Sequence, residues 1–192
     1  MNWLEFIASL VSATAWPICL LVFFLLLKPE VPTLVNGLRR LKYRDLELEF
    51  EKTSKAIAEQ TKEHIPAPDR PVTIAGQSGE DASRRLSYVS DFAPRSAIIE
   101  AWLLVESAAI DALRRSNAMT AKSSPGPMRL RDHLVKAGFL DPKQQAVFEQ
   151  LRMLRNEAVH ATDAEFSSTA VANYVDSALQ MAIYLEERAN TS

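Results

Sequence analysis

The stretch DPKQQAVFEQLRMLRNEAVH, residues 141–160, decides how this chain is read. Asp141 before Pro142 is an N-cap followed by proline at the first helical position. Val147, Leu151, Leu154 and Ala158 then recur at alternating spacings of four and three, which predicts one amphipathic helix with a single apolar face.

The sequence on either side follows the same grammar. Downstream, Ser167 and Ser168 open a further helix with Val171, Tyr174, Val175, Ala178, Ala182 and Leu185 inward. Upstream, residues 97–115 place Ile98, Ala101, Val105, Ala108 and Ala112 on one stripe, with Glu100, Ser107, Asp111 and Arg114 opposite. A break at Ser123, Ser124, Pro125, Gly126 and Pro127 leads to a short helix over 129–137, closed by Gly138. Four helices with short connections predict an antiparallel four-helix bundle over residues 94–190, so the fold class is all-α.

The N-terminus is of another kind. No charged residue occurs across positions 6–27, and a helix of that length spans the roughly 30 Å hydrocarbon core. The run ends in Leu25, Leu26, Leu27 and Lys28, and Glu5 stands where a secretion signal would carry cations, so residues 1–28 read as an uncleaved transmembrane anchor. Lys28, Arg39, Arg40, Lys42 and Arg44 follow it and no Lys or Arg precedes it. The positive-inside rule then puts the N-terminus out and the C-terminal mass in the cytoplasm. The same cations suit anionic headgroups.

Two segments connect anchor and bundle. In the juxtamembrane segment 29–65, residues 33–41 read as a short amphipathic helix or turn. The alternation of Leu46, Leu48 and Phe50 with Asp45, Glu47, Glu49 and Glu51 has the period of a strand, with a helix running on through Glu63 as the rival. Residues 66–93, holding Pro66, Pro68, Pro71, Gly76 and Gly79, have linker composition and read as a loosely ordered tether.

Cys19 is the single cysteine and lies in the anchor, which leaves no intrachain disulfide and no thiol-based site. His64, His133 and His160 are the only histidines, and none stands at ligand spacing, so neither a metal nor another cofactor is expected. Residues 94–192 hold 11 Lys and Arg against 12 Asp and Glu, which is no strong footprint for nucleic acid. Arg114, Arg115, Lys122, Arg129 and Arg131 form at most a basic rim.

The chemistry-bearing residues lie late in 141–160. At about 100° per residue, Asn156 and His160 share one face with Glu149 and Arg152, while Leu151, Leu154 and Ala158 point the other way. Arg155 is about 140° from His160, so the two meet only if the arginine reaches round the flank. Glu106, among Ile99, Trp102, Ile110 and Leu113, is a carboxylate on an apolar face whose natural partner is Arg152 or Arg155. Its plain role is an ion pair that positions the helix.

Arg155, Asn156 and His160, with four residues between Arg and His, resemble the HEPN superfamily, whose ribonucleases carry an Arg, usually a polar neighbour, and a His four to six positions beyond. The resemblance covers about residues 94–190. The layout is also similar to the membrane-anchored HEPN accessory proteins of type VI-B CRISPR systems, matched here in the anchor and the motif. The HEPN resemblance implies a metal-independent endoribonuclease with its site built across a homodimer, since attack by a ribose 2′-hydroxyl needs a base, an acid and cations near the phosphate and one chain supplies a single suitable histidine. It also implies a place in antiphage or abortive-infection defence, at a bacterial inner membrane and with a partner protein. His160 would then transfer protons, Arg155 hold the phosphate and Asn156 orient the imidazole, with Glu106 and Arg152 in support. The alternative is a homo-oligomeric membrane effector or pore that the helical domain only assembles. Ala8, Ser9, Ser12, Ala13 and Ala15 favour close packing of anchors in the bilayer.

Overall fold

Helix boundaries in the computed structural model, which describes residues 2–27, 31–68, 71–118, 127–161 and 164–191, fall where capping chemistry puts them. The chain divides into two compact units, Met1–Arg44 and Asp45–Ser192.

The first unit contains α1 (Trp3–Leu27), with Pro17 in its interior. Its stretch 6–23 is long and apolar enough to cross a membrane, and none of that stretch is buried. Helix α2 (Val31–His64) begins here and ends in the second unit. Lys28 and Glu30 of the basic flank lie outside the described residues, as do Lys122 and the break over 123–126.

The second unit is helical apart from one hairpin. Strands β1 (Thr73–Ile74) and β2 (Gln77–Ser78) pair antiparallel, Thr73 opposite Ser78 and Ile74 opposite Gln77. Ala75 and Gly76 make the turn with φ of 49° and 79°, a region glycine enters without steric cost. Then come α3 (Gly79–Phe92), α4 (Pro94–Arg115), α5 (Pro127–Lys136), α6 (Pro142–His160) and α7 (Ser168–Thr191). The most extensive packing is α4 on α7; α3 lies against both, α6 against α4, and α5 against α4 and α6.

Sequence dictates most of the ends. The Asp141 carboxylate accepts from the Lys143 and Gln144 amides, and the Gln144 side chain returns a bond from the Asp141 amide, closing a capping box at α6. Gly138 ends α5 with φ of 76°: its amide reaches the Val135 carbonyl and the Phe139 amide that of Leu134, a Schellman stop. Asn117, at φ 55°, ends α4 by the same two bonds, to Arg114 and from Ala118 to Leu113.

The inward residues expected on α4, α6 and α7 are all buried. Two connecting segments differ from expectation. Residues 45–51 are helix and not strand, because α2 runs on through them. Phe50, Ser54, Ile57 and Thr61 are buried at spacings of four, three and four, while Leu48 is 51% exposed. A helical stripe running over three turns outweighs an alternation confined to seven residues. The short helix expected over 33–41 is likewise part of α2.

The tether expected over 66–93 is corrected too. Gly76 serves the hairpin turn, and from Gly79 to Phe92 the segment is α3, whose Ala82 and Leu86 join Ile74 in the core. Ser78 caps that helix by accepting from the Asp81 amide at 3.1 Å.

Candidate functional site: the C-terminal half of α6

Burial of Phe148, Leu151 and Leu154 sets the rotation of α6, and its residues from 149 to 160 then divide between seam and solvent. Arg155 falls at the seam with α4. Its Nη2 lies 3.5 Å from Glu106 Oε1, with the two side chains 22% and 19% exposed. The guanidinium sits 5.7 Å from the centre of the Trp102 ring, itself packed on Phe148 at 5.2 Å. Nη1 donates to Asn156 Oδ1 at 2.9 Å. An ion pair, an amide and an aromatic face thus hold the arginine in one pose, each stronger for partial withdrawal from water.

Of the two partners considered for Glu106, Arg155 is the one it meets. Arg152 instead forks onto Glu149, donating from Nε at 3.0 Å and from Nη2. That hydrogen bond holds the Glu149 carboxyl below its ordinary range, with Arg152 and Arg131 charges adding to it. Beneath the seam the Tyr174 hydroxyl donates to the Leu151 carbonyl at 3.2 Å, and burial pushes that phenol far up.

His160 stands exposed in the last turn of α6. Among the described residues no hydrogen bond or ion pair joins Arg155 to His160. Asn156 is turned to the arginine; among the described residues no hydrogen bond joins it to the imidazole. Glu157, on the other flank, passes unremarked in a reading of the motif. Burial first, and then the Glu49 carboxylate from α2, push its carboxyl up.

The chain leaving α6 is held by residues the motif does not include. Arg95, in the first turn of α4, donates from Nη2 to the carbonyls of Ala161 and Ala164 and stacks 6.0 Å from the Phe166 ring centre. From α2, Glu47 Oε1 accepts from the Glu165 amide at 2.8 Å and Phe50 packs on Phe166 at 4.5 Å. A cavity of about 640 Å³ opens between Pro94, Arg95, Ser96, Glu165 and Phe166. The sequence carries one faint sign of this, an arginine just after the proline that opens α4.

The basic rim is largely neutralised. Arg114 lies 3.7 Å from Asp111, Arg115 2.8 Å from the buried Glu186, and Arg131 2.8 Å from Asp132 and 3.6 Å from Glu149. Among the described residues no cluster of three or more His, Cys, Asp or Glu is placed to hold a metal ion. The chain matches no family model, no curated protein and no solved structure.

Proposed function

We propose that the chain is a membrane-anchored HEPN-like endoribonuclease that cuts RNA without a metal, as a homodimer at the cytoplasmic face of a bacterial inner membrane, in antiphage defence. The observation that carries this reading is an exposed imidazole at His160 on the same helix as a guanidinium at Arg155 that Glu106, Asn156 and Trp102 hold in place. A fixed cation suits the charge that builds on a phosphate, and a solvent-exposed imidazole suits the proton transfers. Such chemistry consumes the 2′-hydroxyl, so RNA and not DNA is the substrate. Leu103 and Val159, exposed apolar side chains on the two helices of this seam, support a face that a second copy covers. The net positive flank after α1 supports the orientation.

The test is the full chain in lipid nanodiscs with labelled single-stranded RNA in excess chelator. His160→Ala is expected to reduce cleavage by at least about 100-fold, the usual weight of a general acid–base group. Cleavage at an undiminished rate in that variant overturns the reading.

A second reading is favoured by the Glu106–Arg155 pair itself, which cancels the charge a phosphate would seek. In it the seam only holds α6 on α4, and the anchors assemble as an oligomeric membrane effector or pore. Exchange of α1 for an unrelated span separates the two: a nuclease keeps its cutting, whereas a pore stops depolarising the membrane.

A further inference from the structure

A residue in the final turn of a helix is only as well placed as the helix end, which frays unless its free carbonyls find donors. His160 is such a residue, and Ala161 is the C-cap of α6. The Arg95 guanidinium donates to the Ala161 carbonyl and also reaches Ala164, 3.4 Å away. It therefore fastens the cap from a different helix. The opposite side of the same connection is fastened by α2, through Glu47 on the Glu165 amide and Phe50 on Phe166. Phe166 is the shared surface, with the Arg95 guanidinium 6.0 Å and the Phe50 ring 4.5 Å from it. Two elements distant in sequence thus converge on the few residues that follow the imidazole.

We propose that Arg95 is a positioning residue for the His160 imidazole, one jaw of a clamp whose other jaw is Glu47 and Phe50 of α2. The catalytic meaning of this clamp rests on the ribonuclease reading; its mechanical content does not. Arg95 touches no reacting atom. It holds the C-cap of α6 so that the last turn stays helical and the ring keeps one direction, a supporting shell of the sort on which geometric precision depends. Because α2 is the helix that follows the anchor in sequence, a disturbance of α2 at Glu47 is transmitted to the same place.

The test uses the full chain in nanodiscs with ¹³C-labelled histidine, whose three ring signals are assigned by single substitution. Arg95→Ala is expected to shift or broaden the His160 signal and leave His64 and His133 where they were. Arg95→Lys, which keeps one donor for the Ala161 carbonyl, is expected to restore it. On labelled RNA, Arg95→Ala is expected to lower kcat by about 10- to 100-fold with KM unchanged, the scale of a small misplacement. A His160 signal unmoved in a folded Arg95→Ala chain overturns the proposal. Should that variant unfold, Glu47→Ala removes a half-buried acceptor on the other jaw, and an unmoved His160 signal there overturns it equally. If His160 responds while the unsubstituted chain cuts no RNA, the ribonuclease reading fails and the clamp stands.

Discussion

Arg155 shows how one side chain serves stability and chemistry together. Its charge is balanced by Glu106 and its flat face covers Trp102, so replacing Glu106 by Gln keeps the volume and removes the compensation. A partly buried guanidinium left without its anion costs about 1–3 kcal/mol, and denaturant unfolding of the full chain is expected to show a loss of that size. Glu157 predicts the opposite sign. The folded protein keeps a proton there at pH values where the unfolded chain has released it, so stability falls as pH rises from the ordinary glutamate range through the raised folded value. Glu157→Gln is expected to remove that slope and to gain about 0.5 kcal/mol near neutrality; an unchanged slope in pH-dependent melting counts against it. The partner of Glu106 was legible in the sequence only as a choice between Arg152 and Arg155, because an acid on an apolar face demands a cation but does not say which turn supplies it. Asn156 was not: its neighbour Arg155 and the imidazole are both plausible partners for an amide, and only the rotation of the helix chooses.

At the level of elements, the helices with long apolar stripes and explicit caps were readable, and those with mixed signals were not. Helix α6 carries its start in Asp141 and Pro142, and Asp141→Ala is expected to cost about 1 kcal/mol by undoing the capping box. Helix α3 hid behind the composition of its predecessor, since prolines and glycines up to Gly79 lend the whole of 66–93 the look of a tether. Its apolar set is only Ala82, Leu86 and the half-buried Val89. Leu86→Ala settles the matter by energy: a core leucine costs about 2–5 kcal/mol on truncation, whereas a residue in a loose tether costs almost nothing. Residues 45–51 misled for a different reason. Acids and apolar residues alternating over seven positions fit a strand, yet the stripe from Phe50 to Thr61 is visible only when the window extends past the run.

The whole molecule joins an apolar N-terminal helix and its basic flank to a unit over residues 45–192 that holds 17 basic against 22 acidic residues. Electrostatics alone therefore gives that unit little hold on lipid or nucleic acid, and the membrane address proposed for the chain rests on α1. Two arginines in place of Leu20 and Leu21 add about 2.5–3.5 kcal/mol each to insertion, and fractionation is expected to find that variant released from membranes that retain the parent against alkaline carbonate.

Pro17 bears on what kind of address that is. It has no amide hydrogen to give the carbonyl one turn earlier, at Ala13, and in the membrane-spanning role proposed for α1 the hydrocarbon offers that oxygen no water in exchange. A plain mooring line has no use for such a joint, and leucine there would make the better rope. Whatever survives Pro17→Leu owes nothing to bending within the lipid; whatever is lost identifies the anchor as a working part.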